Sequence, residues 1–319
     1  MKIEITYRIA LQNSSNPESL WIPVPANTGY QSVLNQRHEG NYAEVGLFSD
    51  PVYGAPALYA RWDKDTDGKA ITVAIEVEVR ERQALLAKAR QSGELPDDVR
   101  PFLDPTAHIP TDGIVRQRAE EVVAGLSSPL DKAKAIYDWI IENTHRDFKV
   151  AWCGLGDVKT MLESGNLCGK CVDINSLLVA LARAAGLPAR EVFGIRAAES
   201  RLGPTLGRSG DISNAQHCKG EVYLSGAGWV PLDPADVVKV TDEKQPNDVI
   251  GRVREHFFGN ADDSWVSFNH ARDFTLNPAQ AGGPLNYFMY PYGEHESRRI
   301  ELKPGNPGYS IFSVVRDAE

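Results

Sequence analysis

The sequence predicts an α+β protein in which a helix that bears a cysteine packs on an antiparallel sheet, preceded by a β-rich domain. Three observations support this prediction. Apolar and polar residues alternate within the first eighty positions, an apolar stripe at helical spacing begins at Cys171, and two strand-like runs flank Ser225-Gly226-Ala227-Gly228. Alternation with a period of two indicates strands, whereas a period near 3.6 indicates a helix.

Length and charge limit the possible functions. The 319 residues suffice for a full hydrophobic core and for two domains, or one domain with additions. With 34 basic and 43 acidic residues, the formal charge is −9, which argues against nucleic acid or an anionic membrane as the main partner. The first residues contain no continuous apolar run, so we expect neither a signal peptide nor a membrane span. The expected location is cytoplasmic, or periplasmic or secreted if the chain is a trimmed mature form.

The β-rich domain is predicted over residues 1–82. Its clearest strand covers 71–79, where apolar residues occupy every second position and would bury one face. Apolar runs at 20–24 and 57–62 predict further strands. Residues 83–125 contain four prolines that interrupt any long helix, and they are predicted to form a connector.

A helical core follows the connector. Ser128-Pro129-Leu130-Asp131 predicts a helix start, because serine is a good N-cap and proline fits the first helical position. A second helix is predicted from Cys171 to Gly186, since apolar residues recur at helical spacing at Ile174, Leu177, Leu178 and Leu181. Two strands, 217–224 and 229–233, are predicted to form a tight hairpin.

Cys168 and Cys171 form a C-x-x-C pair, and a redox dithiol is its first interpretation. Such a dithiol uses a helix start to stabilise the attacking thiolate. It normally follows a β-strand directly, whereas residues 161–166 here indicate a helix end and a turn. The sequence context therefore does not favour redox function.

A structural zinc site is the second interpretation. Cys153, Cys168 and Cys171, together with His217 or Cys218, would supply four ligands of the types that zinc prefers. Structural sites usually offer two C-x-x-C pairs, however, and this chain has one. Zinc therefore stays an alternative, and the principal expectation is that no metal is bound.

In the third interpretation Cys171 is a nucleophile. A thiol in the first turn of a helix lies at the positive end of the helix dipole, which favours the reactive thiolate. His217 begins one strand of the predicted hairpin and Asp233 ends the other, so we expect the two side by side. A thiol, a histidine base and an orienting carboxylate are the groups of a catalytic triad.

Two stretches of the sequence resemble the transglutaminase-like superfamily in its bacterial form. They are CVDINSLLVALARAAGLPAREVFGIR, at 171–196, and HCKGEVYLSGAGWVPLDPAD, at 217–236. The resemblance implies a papain-like transglutaminase core over 126–240, in which the helix with the nucleophile packs on an antiparallel sheet. It also implies that residues 241–319 are a C-terminal extension packing on that core.

The same resemblance implies an activity. Cys171 matches the nucleophile, His217 the base and Asp233 the third member of the triad. We therefore expect cysteine-dependent acyl transfer on peptides, proteins or other amides through a thioester, with no metal or organic cofactor. Hydrolysis by a peptidase or amidase is preferred to protein cross-linking, because water is the default acceptor. A binding module that has lost catalysis is the non-enzymatic alternative.

Further roles are assigned to residues near the thiol. The backbone N–H of Cys171 is an expected oxyanion donor, and Asn166 or Trp152 is nominated as the second donor. Cys168 is a candidate redox partner of Cys171, because of the C-x-x-C spacing. Lys219 stands where many superfamily members have an aromatic residue, and we expect it to alter the acyl pocket without touching the three catalytic groups.

Overall fold

A computed structural model describes residues 1–11, 18–91, 93–302 and 308–316. The strands in these ranges are β1 (Lys2–Ala10), β2 (Ser19–Pro23), β3 (Gln31–Gly40), β4 (Glu44–Ser49), β5 (Pro56–Arg61), β6 (Ala70–Val79), β7 (Arg82–Gln83), β8 (His145–Arg146), β9 (Cys168–Gly169), β10 (Ala189–Arg196), β11 (Gly210–Asp211), β12 (Gln216–Leu224), β13 (Gly228–Leu232), β14 (Asn260–Ala261), β15 (Trp265–Asn269), β16 (Tyr292–His295), β17 (Arg298–Glu301) and β18 (Tyr309–Arg316). The helices are α1 (Gly113–Val122), α2 (Pro129–Asn143), α3 (Val158–Ser164), α4 (Cys171–Ala184), α5 (Pro234–Asp242) and α6 (Asn247–His256), with short 3₁₀ turns at Leu86–Lys88 and Arg100–Leu103. None of the helices in the described ranges combines the length and the hydropathy needed to cross a bilayer.

The chain forms two compact units, each built from separate segments. The first unit comprises Met1–Arg80, Phe193–His217 and Asp262–Glu319, and the second comprises Glu81–Val192 and Cys218–Ala261. The mixture of helices and antiparallel strands confirms the predicted α+β class. The division into four consecutive domains stays a prediction.

The first unit contains two five-stranded antiparallel sheets. Their strand orders are β11-β18-β1-β6-β3 and β17-β16-β2-β5-β4. The strands predicted at 71–79, 20–24 and 57–62 are confirmed as β6, β2 and β5. The alternating residues of β6 are buried in one apolar core, together with Ile3, Ile5 and Tyr7 of β1. Burial of such a side chain stabilises the fold by about 1.5–3 kcal/mol.

Strands from the end of the chain complete sheets that begin at its start. β18 pairs with β1 along eight residues, from Lys2 opposite Arg316 to Ile9 opposite Tyr309. β16 pairs with β2, where Tyr292 lies opposite Trp21. Antiparallel pairing gives every one of these strands a partner for its backbone N–H and C=O groups.

The second unit holds the helices, and α2 and α4 start where the sequence predicts. Ser128 is the N-cap of α2, and its Oγ accepts the N–H of Asp131 at 3.4 Å. The residues of α4 from Cys171 to Arg183 are all buried, which makes α4 the central helix of the unit. After α4 the chain turns at Gly186, whose φ of 84° is accessible to glycine without strain.

The predicted hairpin is formed by β12 and β13. Its register pairs Leu224 with Gly228 next to the turn and Gly220 with Leu232 at the far end. β13 ends at Leu232, one residue earlier than predicted, because Asp233 is the N-cap of α5. The hairpin therefore leads directly into a helix.

Glu221 of β12 is a buried carboxylate held between two arginines. It accepts hydrogen bonds from Arg82 and, at 2.7 Å, from Nε of Arg190. The guanidinium of Arg190 also lies 4.0 Å from the centre of the Trp229 ring. Burial alone would raise the pKa of Glu221, but the charges and hydrogen bonds of the two arginines outweigh it and lower this pKa to about 2.

The lowered pKa makes the contribution of Glu221 to stability depend on pH. The ionised form stabilises the fold above the ordinary pKa of 4.5, and this contribution is lost as the pH falls toward about 2. Glu221→Gln should therefore lower the free energy of unfolding by about 3–5 kcal/mol at pH 7, because it breaks a buried ion pair. The loss should be clearly smaller at pH 3. Urea unfolding at both pH values measures it.

Glu142→Gln is the control for this experiment. Glu142 pairs with Arg254 at 2.9 Å but is 61% exposed, so its replacement should change stability little at either pH. An equal loss for Glu221→Gln at pH 7 and pH 3 would contradict the assignment of its charge.

Candidate active site

Cys171 occupies the first position of α4. Lys170 is the N-cap, and the Cys171 side chain is buried, with 3% of its surface exposed. The first N–H groups of a helix have no acceptors within the helix and give that end a positive partial charge. A thiolate at this position is stabilised, and the thiolate is the nucleophilic form of cysteine.

Asp173 fixes the backbone around this helix start. Its Oδ2 accepts the N–H of Lys170 at 2.9 Å, and its Oδ1 accepts the N–H groups of Leu155 and Gly156 at 3.0 and 2.8 Å. Burial raises the pKa of the Asp173 carboxyl and outweighs the three N–H donors, which favour its charged form. One side chain thus ties the preceding loop to the helix that carries Cys171.

The loop before the helix makes a close backbone approach to it. Val172 donates its N–H to the carbonyl of Cys153 at 2.9 Å. Gly154 has a φ of 95°, and a Cβ atom there would lie 1.9 Å from Oδ2 of Asp173, so this position requires glycine. Trp152, with a φ of 61°, lies one residue from the contact between Cys153 and α4. Its role as an oxyanion donor stays a prediction.

Cys168 and Asn166 lie on the approach to α4. Cys168 is exposed and belongs to β9, which pairs in parallel with β8. Its backbone N–H donates to the side-chain oxygen of Asn166 at 3.1 Å, so that oxygen is directed toward Cys168. The assignments of Asn166 as an oxyanion donor and of Cys168 as a redox partner stay predictions.

The four cysteines are free thiols in different surroundings. Cys153, Cys171 and Cys218 are buried, whereas Cys168 is exposed. Within the described ranges, no three of these sulfur atoms lie within 4.8 Å of one another. This arrangement does not match the cysteine-rich zinc site that the C-x-x-C pair suggests.

Cys218 contacts the face of α4 that bears Cys171. Asn175, one helical turn after Cys171, donates Nδ2 to the carbonyl of Cys218 at 2.8 Å and to its Sγ at 3.6 Å. Burial raises the pKa of Cys218 well above its usual range, and a hydrogen bond with Cys171 raises it further. These two causes favour the neutral form of the Cys218 thiol, which contacts Cys171.

His217 immediately precedes Cys218 in β12. Its side chain is buried, and its backbone carbonyl accepts the indole N–H of Trp265 at 3.0 Å. Lys219 follows two residues later in the same strand.

The hairpin ladder ends at the pair of Gly220 and Leu232, and Lys219 and Asp233 each lie one residue beyond it. The Nζ of Lys219 is 3.5 Å from Oδ2 of Asp233, and both side chains are buried. The expectation that Lys219 touches none of the three catalytic groups is therefore wrong. The hairpin register, counted outward from the turn, is the signal in the sequence that points to this pair.

Further contacts hold Asp233. As the N-cap of α5, it accepts the N–H of Asp236 on Oδ1 at 3.2 Å. Its own N–H donates to the carbonyl of Phe257 at 3.1 Å. The ammonium group of Lys219 lies 4.4 Å from the centre of the Phe257 ring. Asp233 is thus held by both its backbone and its side chain, which fixes the direction of its carboxylate.

A buried thiol at a helix start, followed by a hairpin with a histidine on its first strand and a carboxylate just after its second, defines an α+β protein of the papain-like class. The sequence profile of the transglutaminase-like superfamily matches residues 116–234, which include Cys171, His217 and Asp233. The chain belongs to the transglutaminase-like superfamily.

Two known proteins are similar over most of the chain. An uncharacterised protein of Haemophilus influenzae is 41% identical over 309 residues, which cover 91% of this chain and 84% of the relative. The solved structure of a proposed cysteine protease from Cytophaga hutchinsonii is 18% identical, covers 98% of both chains and has a TM-score of 0.59. At that level of identity, the structural similarity shows a shared fold.

Removal of the Asp173 carboxylate should loosen the loop before α4. Asp173→Ala leaves three backbone N–H groups without their acceptor, and we expect the free energy of unfolding to fall by about 2–3 kcal/mol. Asp131→Ala, at an exposed position in the first turn of α2, should cost less than about 1 kcal/mol. Urea unfolding of both variants measures the difference. A loss for Asp173→Ala no larger than that of the control would show that Asp173 does not hold the loop.

Proposed function

We propose that this protein is a cysteine-dependent amide hydrolase, a peptidase or amidase, in which Cys171, His217 and Asp233 act as nucleophile, base and orienting carboxylate. The main supporting observation is the burial of the Cys171 thiol at the first position of α4. Membership of the transglutaminase-like superfamily supports the same reaction class, as does the description of the Cytophaga protein as a proposed cysteine protease.

The contacts of the residues that follow His217 support its assignment as the base. Cys218, the next residue, touches the helix of Cys171 through Asn175. Lys219, the residue after that, forms the ion pair with Asp233. The strand segment that begins with His217 therefore has one contact to the helix of the proposed nucleophile and one to the proposed orienting carboxylate.

In the proposed reaction, the Cys171 thiolate attacks the carbonyl carbon of an amide and forms a C–S bond. The imidazolium of His217 gives its proton to the leaving nitrogen as the C–N bond breaks, and a thioester remains. Water, deprotonated by His217, then attacks the thioester, and cleavage of the C–S bond releases a carboxylic acid and the Cys171 thiolate, with His217 again protonated. The N–H of Cys171, with Trp152 or Asn166, would stabilise the oxyanion.

Alkylation of Cys171 tests for an activated thiol without knowledge of the substrate. Iodoacetamide reacts with the thiolate, so the labelling rate at Cys171, read by mass spectrometry across pH, reports its apparent pKa. We expect this pKa to lie well below the ordinary value of about 8.5 in the parent protein. In His217→Ala it should rise toward that value, because the imidazolium no longer stabilises the thiolate.

His145→Ala and Cys168→Ser are the matched controls. His145 is an exposed histidine 3.3 Å from Asp242, and its removal should leave the Cys171 profile unchanged. Cys168→Ser removes the exposed thiol of the C-x-x-C pair from the same measurement. An ordinary thiol pKa in the parent, or stoichiometric zinc that protects the cysteines in the same sample, would overturn the proposal and leave a binding or structural role.

Denatured casein is a suitable probe of the reaction type. Hydrolysis creates new peptide termini, whereas transamidation joins glutamine to an amine with loss of ammonia, and mass spectrometry separates the two. We expect new termini with the parent and none with Cys171→Ala. Cross-linked products without new termini would show a transferase instead.

A further inference from the structure

A lysine buried against the proposed triad is unusual enough to require an explanation. Lysine side chains are almost never fully buried unless they are paired, because the ammonium group loses its hydration. Lys219 is 4% exposed, and its Nζ lies 3.5 Å from Oδ2 of Asp233, a residue that is 1% exposed. Removal of water strengthens the attraction between these charges and makes their geometry more restrictive than that of a surface pair.

The surroundings of this pair hold both partners in place. Lys219 is fixed by its position in β12 and by the Phe257 ring below its ammonium group. Asp233 is fixed by its N-cap bond to Asp236 and by its backbone bond to Phe257. One carboxylate oxygen of Asp233 thus binds the start of α5, and the other faces the lysine.

We propose that Lys219 is a positioning residue for the triad, which acts through Asp233: its ammonium group holds the carboxylate and limits the negative charge that His217 experiences. This inference rests on the proposed function, in which Asp233 orients His217. Lys219 itself touches neither the substrate nor the reacting atoms.

The other titratable groups around the pair define the expected direction of its effect. Asp236, on α5, is a second buried carboxylate, with 2% of its surface exposed. Tyr137, on α2, is near both carboxylates, and its pKa is raised well above the usual range, first by burial and then by the charge of Asp233. Tyr137 is therefore neutral. Arg254 and Asp138 also act on Tyr137 and pair with each other at 2.7 Å, whereas Lys219 is the cation beside Asp233. Cys218 is a neutral thiol on the opposite face of β12.

Removal of the lysine charge should make His217 hold its proton more strongly. Lys219 and His217 are two residues apart on one strand, which corresponds to about 6.6 Å along its axis. In Lys219→Met the carboxylate of Asp233 loses the positive charge of Lys219 beside it, and the imidazolium form of His217 becomes more favourable. The pKa of His217 should therefore rise.

The pH profile of Cys171 alkylation by iodoacetamide provides the test. A coupled thiol and imidazole give two apparent pKa values, and the upper one reports loss of the imidazolium proton. We expect the upper pKa to rise by about one unit in Lys219→Met, as for the loss of one nearby charge. Lys219→Arg, which keeps the charge, should restore the parent profile. Lys64→Met removes a lysine that pairs with Glu296 at an exposed site, and should leave the profile unchanged.

A double-variant cycle tests whether Lys219 acts through Asp233. On an Asp233→Asn background, Lys219→Met should shift the upper pKa by much less than it does in the parent. An equal shift on both backgrounds, or an unchanged upper pKa in folded Lys219→Met, would overturn the inference. Lys219→Gln keeps a polar group next to Asp233, and the same rise is expected of it if Lys219→Met does not fold.

A second readout separates this inference from the proposed function. The imidazole of His217 is titrated by NMR in protein labelled with ¹³C at histidine, with His217→Ala to assign the signal. A higher pKa in Lys219→Gln than in the parent supports the role of Lys219 even if the Cys171 thiol proves unreactive. If the thiol is activated but the His217 titration is the same in both proteins, the inference fails while the proposed function stands.

Discussion

The buried start of α4 is the constraint on which the rest of the site depends. A helix start exposes N–H groups that need acceptors, and burial removes the water that would otherwise supply them. Asp173 meets this need inside the structure, since it accepts from Lys170 and from the loop residues Leu155 and Gly156. The same bonds fix the loop, and the loop approaches so closely that position 154 must be glycine. The thiol at this helix start is therefore held by a fixed backbone, as the proposed attack on a carbonyl would require.

The two faces of β12 have different surroundings: one packs against α4, and the other carries buried charged residues. Cys218 and Gly220 face α4, where a Cβ atom on Gly220 would lie 2.4 Å from a methyl group of Leu178, so the helix packs directly on the strand backbone. Lys219 and Glu221 face the other way and are both buried. Each of the two charged residues has opposite charge beside it: Lys219 faces Asp233, and Glu221 faces two arginines. Close helix packing on one face thus permits a row of polar groups, fixed by ion pairs, on the other.

Sequence periodicity predicts the elements that carry the site because their burial is local and regular. The starts of α2 and α4, the hairpin and the alternating strand β6 all follow from spacing and turn chemistry. The pairing of β18 with β1 does not, since it joins residues about three hundred positions apart. The contact of Lys219 with Asp233 lies between these cases. The hairpin turn fixes the register, and that register places Lys219 near Asp233. The resemblance to the superfamily shows only that Lys219 replaces an aromatic residue, and it does not indicate this contact. The sequence does not predict the contact between Cys218 and Asn175, because no local pattern shows which strand packs on a given face of a helix.

The structure shows that the two cysteines of the C-x-x-C pair lie in different environments. Cys168 and Cys171 are three residues apart, yet the first is exposed on a short strand and the second is buried at the start of a helix. Chemical reactivity follows environment rather than spacing, because helix dipole, burial and neighbouring donors decide which thiol is stabilised as a thiolate. The thiol that contacts Cys171 is Cys218, forty-seven residues later, and its high pKa keeps it protonated. The raised pKa of Cys218 and the helix-start position of Cys171 make the two thiols unequal, which agrees with the proposed single nucleophile at Cys171.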